Sequence, residues 1–172
     1  MRYVGSSNFS AWQVTDADWT ARTRGFERFI TAQNEYNLLD RRIEKDLVPA
    51  AERFSVSLLP YFPLASGVLT GKYRRGEDAP ADSRIAKWGM ASSALTDARF
   101  DVVEKLQAFA GERGITLLDV ALGGLAAQPT VGSVIAGATS PEQLRANVAA
   151  TGWAPTADDL RALDELAPTR RG

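Results

Sequence analysis

The sequence contains neither cysteine nor histidine. Without cysteine there is no disulfide and no thiolate nucleophile or ligand, and the expected address is the cytosol. The missing histidine excludes more. No imidazole is present as general base, proton shuttle or metal ligand, so histidine-dependent triads and most zinc sites are ruled out and no metal site is expected. Any catalysis within the chain would rest on Asp, Glu, Lys, Tyr or Ser. An excess of charge of either sign is also missing: 20 basic and 21 acidic residues interleave to a net −1. That balance gives no electrostatic case for a nucleic-acid partner or an anionic membrane. No apolar run approaches the ~20 residues of a spanning helix, and the opening MRYVGSSNFS lacks the apolar core of a signal peptide.

What is present describes one domain of ordinary size over 172 residues, 45% apolar and 24% charged. RYVG is a short first strand. AWQVTDADWTARTRG is expected to be a helix, capped by Ser10 or Asn8, with Asp16 and Asp18 in its first turn and Gly25 at its end. A second strand runs from Phe29 to Ala32 or slightly beyond, leaving Gln33, Asn34 and Glu35 at its carboxyl end. RRIEKDLVPAAERFS follows as an amphipathic helix that Pro49 should kink or divide.

The third strand, Val56 to Leu59, opens the stretch on which the rest turns, SLLPYFPLASGVLTGKY. Pro60 and Pro63 end the strand. Small residues follow (Ala65, Ser66, Gly67, Thr70, Gly71) and then the cation Lys72, a composition suited to an anionic group held by backbone N–H donors. From 74 to 95 the periodicity lapses into a long loop, of the kind that is usually functional or mobile. Two helices come next, the second (ITLLDVALGGLAAQP) capped by Thr116 and carrying Gly123 and Gly124 inside it at about 1 kcal/mol each against alanine. VGSVIAGA is expected as a fourth strand. SPEQLRANVAATG is a helix with Ser140 as N-cap, Pro141 at its first position and Gln143 closing a capping box, and TADDLRALDEL repeats the box spacing with Thr156 and Asp159.

This order implies an α/β fold with a parallel sheet and crossover helices, each strand emptying into small or polar residues where such folds bind ligands. Four βα units make half of a (β/α)8 barrel, which needs roughly 250 residues.

Taken together, the strand-end segments resemble the aldo-keto reductase family, along essentially the whole chain and over strands five to eight of that family's barrel. RYVGSSNFSAWQV resembles the fifth-strand signature, which implies that Ser7 and Asn8 hold a nicotinamide carboxamide; AQNEYNLLDR resembles the sixth, which adds Gln33. PYFPLASGVLTGKY resembles the seventh strand and its loop. The resemblance then implies that Tyr61 stacks on the nicotinamide, that Phe62, Pro63, Leu64, Ala65 and Ser66 wrap the pyrophosphate, and that Lys72 and Arg84 are cations near the phosphates. SVIAGATSPEQLRAN resembles the eighth strand and its helix, placing Gly137, Thr139, Gln143 and Asn147 at the adenosine phosphate.

The implied cofactor is NADP(H), and the implied substrate of the full-length family is a small-molecule aldehyde or ketone. The family's catalytic Asp, Tyr, Lys and His lie on its first four strands, which have no counterpart here, so no catalytic residue is assigned and the chain is expected to be an inactive, truncated half. Two other readings stand beside this one: a non-catalytic NADP(H)-binding module resembling potassium-channel beta subunits, and a non-functional remnant. The sequence also departs from the family in reading ALGGL where ALAWL is usual. A half barrel is further expected to leave two unpaired strand edges and an inner face of Val, Ile and Leu, and so to self-associate through the edges.

Overall fold

The computed structural model describes residues 1–169. Its sheet has three parallel strands in the order β1 (Val4–Ser7), β2 (Phe29–Gln33) and β3 (Ser57–Leu58). β1 begins and ends two residues later than RYVG suggests, because its ladder with β2 pairs Ser6 with Ala32 and Ser7 with Gln33. β3 is cut to two residues by the prolines that follow it.

The expected fourth strand is not formed as a ladder. Residues 131–135 lie beside β3 through two parallel bridges, Leu58 with Val131 and Tyr61 with Ile135. The Leu58 N–H donates to the Thr130 carbonyl at 2.7 Å and the Ile135 N–H to the Pro60 carbonyl at 2.9 Å. Pro60 has no N–H to return, so the ladder is interrupted between the two bridges. The strand edges are β1 on one side and 131–135 on the other.

Helix α1 (Ala11–Arg24) starts from Ser10, whose N–H donates to Gln13 at 2.9 Å, and ends at Gly25 in the left-handed region. Ser10 as cap places the first turn at residues 11–14, so Asp18 lies in mid-helix rather than in that turn. There it is 4% exposed, hydrogen-bonded by Arg22 at 2.6 Å and paired with Arg28, whose second nitrogen donates to the Phe54 carbonyl. The stretch after β2 does divide, but at Asp46: a 3-10 turn at Arg42–Lys45 precedes helix α2 (Leu47–Phe54), with Pro49 tolerated in α2's first turn.

Helices α1 and α2 cover one face of the sheet, packing Val14, Leu47 and Ala51 onto Ala32, Val56 and Leu58. On the other face Gly5, Ser7, Thr31, Gln33 and Ser57 alternate with those buried positions. Leu59 shares that face with Ser57, so the uncovered face is mixed, more polar and small than the Val, Ile and Leu surface expected of an opened barrel; Ile30, at the irregular step of the β1–β2 register, and Ile135 are exposed.

A second, larger core lies beyond β3. It joins the tightly turned segment Ala65–Thr70, kinked at the non-helical Ser66 and Gly67, to the helices α5 (Asp97–Glu112), α6 (Leu117–Ala126) and α8 (Ala157–Leu166) through Val68, Leu69, Leu106, Val120 and Leu163. The long loop is less irregular than its composition suggests. It contains two single-turn helices, α3 (Arg84–Lys87) and α4 (Ala91–Ala94), anchored by Ile85 and Ala94, both buried in that core. Helix α7 (Pro141–Ala150) packs on α6, burying only Asn147 and Ala150 of its own residues.

Candidate functional site

The site gathers at the carboxyl ends of the strands. Ser7 ends β1, and Asn8 turns out of it with φ at 58°, a left-handed conformation that asparagine tolerates better than most residues. The Asn8 N–H donates to the Gln33 carbonyl at 2.9 Å, which fixes the turn against β2. Fifty-three residues along the chain, Tyr61 is placed next to it: the Tyr61 hydroxyl donates to Asn8 Oδ1 at 2.8 Å, and Asn8 Nδ2 donates to Ser7 Oγ at 3.2 Å. The Tyr61 backbone is held by its N–H to the Asn34 carbonyl at 3.0 Å. Gln33 lies half-buried on the uncovered face, and its side-chain amide makes no hydrogen bond among the described residues.

The loop from Phe62 to Gly67 is strained. Phe62, Ala65 and Ser66 all adopt positive φ (52°, 47° and 59°), each at a cost on the order of 1–3 kcal/mol. Hydrogen bonds from Ala65 N to the Phe62 carbonyl (2.9 Å) and from Gly67 N to the Leu64 carbonyl (2.8 Å) keep it folded. Pro63 and Ala65 are buried beneath it, Leu64 packs on the larger core and Phe62 leans edge-on against Tyr61. Gly67, at φ 92°, lets Lys72 cross the loop: a Cβ there would sit 2.8 Å from Lys72 Cε. The Lys72 ammonium lies 5.0 Å from the centre of the Tyr73 ring.

Arg84, stacked on Trp88, reaches the turn that leads into α7. Its Nη2 is 4.0 Å from where a Cβ on Gly137 would stand. In that turn Thr139 donates to Gln143 Oε1 through both its N–H (2.9 Å) and its hydroxyl (3.0 Å). Gln143 therefore reaches back to Thr139 and not to Ser140, so the expected capping box is not formed; Ser140 caps by accepting from the Gln143 N–H at 3.2 Å. Asn147 is buried and donates to the Gly137 carbonyl at 3.4 Å. Thr139 and Gln143 thus hold each other and Asn147 holds Gly137, which together fix the turn, while Arg84 supplies the charge beside it.

A recess of about 380 Å³ adjoins Asn8 and Tyr61, lined also by Asn34, Glu35, Asp40 and Arg42. In the sequence Glu35 is simply a strand-end residue and Arg42 part of a helix; the fold brings both to this recess. Burial, and then Asp40, push the Glu35 carboxyl above its ordinary range, while Arg42 and Arg99 pull it back. Asn34 Oδ1 is buried without a partner among the described residues. The bridge between Glu35 and Tyr61 is the feature that brings Glu35 here, and no local sequence signal announces it. Among the described residues no cluster of acidic side chains could hold a metal ion.

A dinucleotide suits these groups. The unengaged Gln33 amide beside Asn8 offers the donor and acceptor that a carboxamide needs. The space in front of Gly137 is bounded by a guanidinium, as a phosphate requires.

A parallel α/β sheet with its polar cluster at the carboxyl strand ends is consistent with part of a (β/α) barrel, a fold class whose sites lie at that end. The profile of the aldo/keto reductase family matches residues 1–168, and the chain belongs to that family. It is 36% identical to a probable voltage-gated potassium channel subunit beta of Oryza sativa subsp. japonica, over 98% of this chain and 54% of the relative. It is 38% identical to the protein of the same description from Arabidopsis thaliana (89% and 48%). With the uncharacterized oxidoreductase YrpG of Bacillus subtilis (strain 168) the identity is 32% (96% and 49%). The chain spans about half the length of these curated relatives.

Proposed function

We propose that this chain is an NADP(H)-binding half of an aldo-keto reductase barrel that does not itself reduce carbonyls. The observation that carries the reading is the assembly of Ser7, Asn8, Gln33 and Tyr61, from three β/α units, into one cluster at the strand ends. In the proposed complex Asn8 and Gln33 hold the carboxamide, with Ser7 orienting Asn8, and the Tyr61 ring lies against the nicotinamide. The loop Phe62–Ser66 follows the pyrophosphate, with Lys72 beside it, and its strain is consistent with a backbone shaped for a ligand. Arg84 takes the adenosine phosphate at the Gly137 turn, which Thr139, Gln143 and Asn147 hold in shape.

When bound, NADPH supplies a hydride to an aldehyde or ketone. Protonating the resulting oxygen needs an acid, and the family's tyrosine, lysine, aspartate and histidine of that step have no counterpart in these 172 residues. Tyr61 is committed to Asn8 and is not recruited in their place.

Titration of NADPH fluorescence with the 172-residue chain tests the reading. Saturable binding is expected, weakened at least tenfold by Tyr61→Ala. Arg84→Ala should weaken NADPH but leave NADH unchanged. Absence of binding by folded chain overturns the cofactor reading, and oxidation of NADPH by a simple aldehyde overturns the non-catalytic one. The names of the rice and Arabidopsis relatives favour one further reading, a cofactor-binding subunit that assembles with a channel.

A further inference from the structure

Arg84 is held differently from the arginines around it. Arg22, Arg28, Arg41, Arg42 and Arg75 each form an ion pair with a carboxylate. Arg84 has no carboxylate partner among the described residues; its guanidinium lies instead over the Trp88 ring, 5.2 Å from the ring centre. The two residues are four apart along the single turn α3, which puts them on one side of it. That turn is firmly set. Ser83 accepts from the Ala86 N–H at 3.2 Å, the Trp88 N–H donates to the Arg84 carbonyl at 3.0 Å, and Ile85 is fully buried in the larger core. Trp88 itself is 60% exposed and takes no part in that core. Core packing therefore does not account for its ring, and the group the ring faces is Arg84.

A carboxylate beside Arg84 would fix the side chain too, but it would cancel the charge and occupy the donors. An aromatic face attracts the flat guanidinium through its π-cloud and leaves the N–H edge free. That edge is what a phosphate takes, in paired N–H···O bonds. From the stack Arg84 reaches the turn before α7, its Nη2 4.0 Å from the position of a Cβ on Gly137. We propose that Trp88 is a positioning residue for the adenosine phosphate of the cofactor. The indole holds the Arg84 guanidinium against the Gly137 turn, and so sets the preference for a dinucleotide with a 2′-phosphate over one without it. An arginine free to sample its rotamers loses that freedom when it binds; one already stacked has less to lose. The inference rests on the cofactor reading above and adds to it the residue that separates the two dinucleotides.

Fluorescence titrations of the 172-residue chain with NADPH and with NADH test the proposal. The parent is expected to bind NADPH more tightly. Trp88→Ala should weaken NADPH by about fivefold, the size expected of an exposed cation–π stack, and leave NADH within about twofold. Trp88→Phe, which keeps an aromatic face, should recover most of that loss. In an Arg84→Ala background, Trp88→Ala should change NADPH binding by less than about twofold, because the ring acts through the guanidinium. Equal weakening of both dinucleotides by Trp88→Ala overturns the proposal, since the ring would then serve the folding of the loop or the part the two cofactors share. So do losses that multiply in the double variant, a Trp88→Phe chain as weak as Trp88→Ala, or a parent with no preference for NADPH. A folded parent that binds neither dinucleotide overturns the cofactor reading itself and this inference with it, and the two parent titrations alone reveal that case.

Discussion

At the scale of single residues, the site is organised by groups whose environment differs from what their neighbours in sequence suggest. Asn8 and Tyr61 meet only because β1 and β3 flank the same strand. Glu35 carries the clearest energetic signature. Burial raises its pKa above the ordinary 4.5, with Asp40 adding to the effect. A carboxyl raised in the folded state is charged more readily in the unfolded chain. Its contribution to stability is therefore fully present below the unfolded value and is lost as pH rises through the folded one. Glu35→Gln removes the titrating group while keeping the shape. The variant should be more stable than the parent at pH 7, and that advantage should vanish near pH 3.5, where both side chains are neutral. Urea midpoints at the two pH values measure it, and an advantage of equal size at both would contradict the account.

At the scale of elements, the caps were legible and the strands less so. Ser10, Thr116, Ser140 and Thr156 each begin a helix as their spacing predicts, since a cap is a local bargain between one side chain and the next three N–H groups. The fourth strand is expected over VGSVIAGA, but its reduction to two isolated bridges was not legible, because Val131 to Ile135 can bond only to what β3 leaves available, and Pro60 leaves little. The mid-helix glycines looked like a weakness and are a packing device. At Gly123 a Cβ would lie 2.9 Å from the Trp153 carbonyl oxygen and 3.0 Å from that of Ala150, so α6 needs glycine to meet the end of α7. At Gly124 the nearest atom is the end of the Leu163 side chain, at 3.0 Å, which can rotate away. Gly123→Ala should therefore destabilise by about 1–3 kcal/mol, overpacking outweighing the gain of about 1 kcal/mol in helix propensity. Gly124→Ala should be close to neutral. Chemical denaturation of the two variants side by side checks the contrast, and equal effects would mean that the backbone contact at Gly123 is not limiting.

At the scale of the whole molecule, helix α8 is packed into the larger core through Leu163 and Ala167 and is also tied down at both ends by arginines. Arg113, beyond α5, donates to Asp159 at the start of α8 at 2.7 Å, and with Thr156 it holds the Asp159 carboxyl down at about 2. At the other end Arg41, from the turn after β2, donates to the Ala167 carbonyl at 2.9 Å and to Asp164 at 2.5 Å. Its remaining hydrogen bonds go to Glu44 at 2.7 and 2.9 Å, and Glu44 also accepts from the buried Tyr36 hydroxyl at 2.6 Å. The partners of Arg41 are unequal. Asp164 is 61% exposed and can be hydrated if released, whereas Glu44 is 19% exposed and cannot be fully. Removing Arg41, itself only 9% exposed, strands the Glu44 charge and the Ala167 carbonyl together. Arg41→Ala is therefore expected to cost about 2–4 kcal/mol, and Asp164→Asn no more than about 1 kcal/mol. A double-mutant cycle measured by chemical denaturation should give a coupling between Arg41 and Glu44 well above that between Arg41 and Asp164. Were the two couplings equal, the clamp on α8 would be a surface ion pair, and the buried carboxylate would not be what ties the sheet to the last helix.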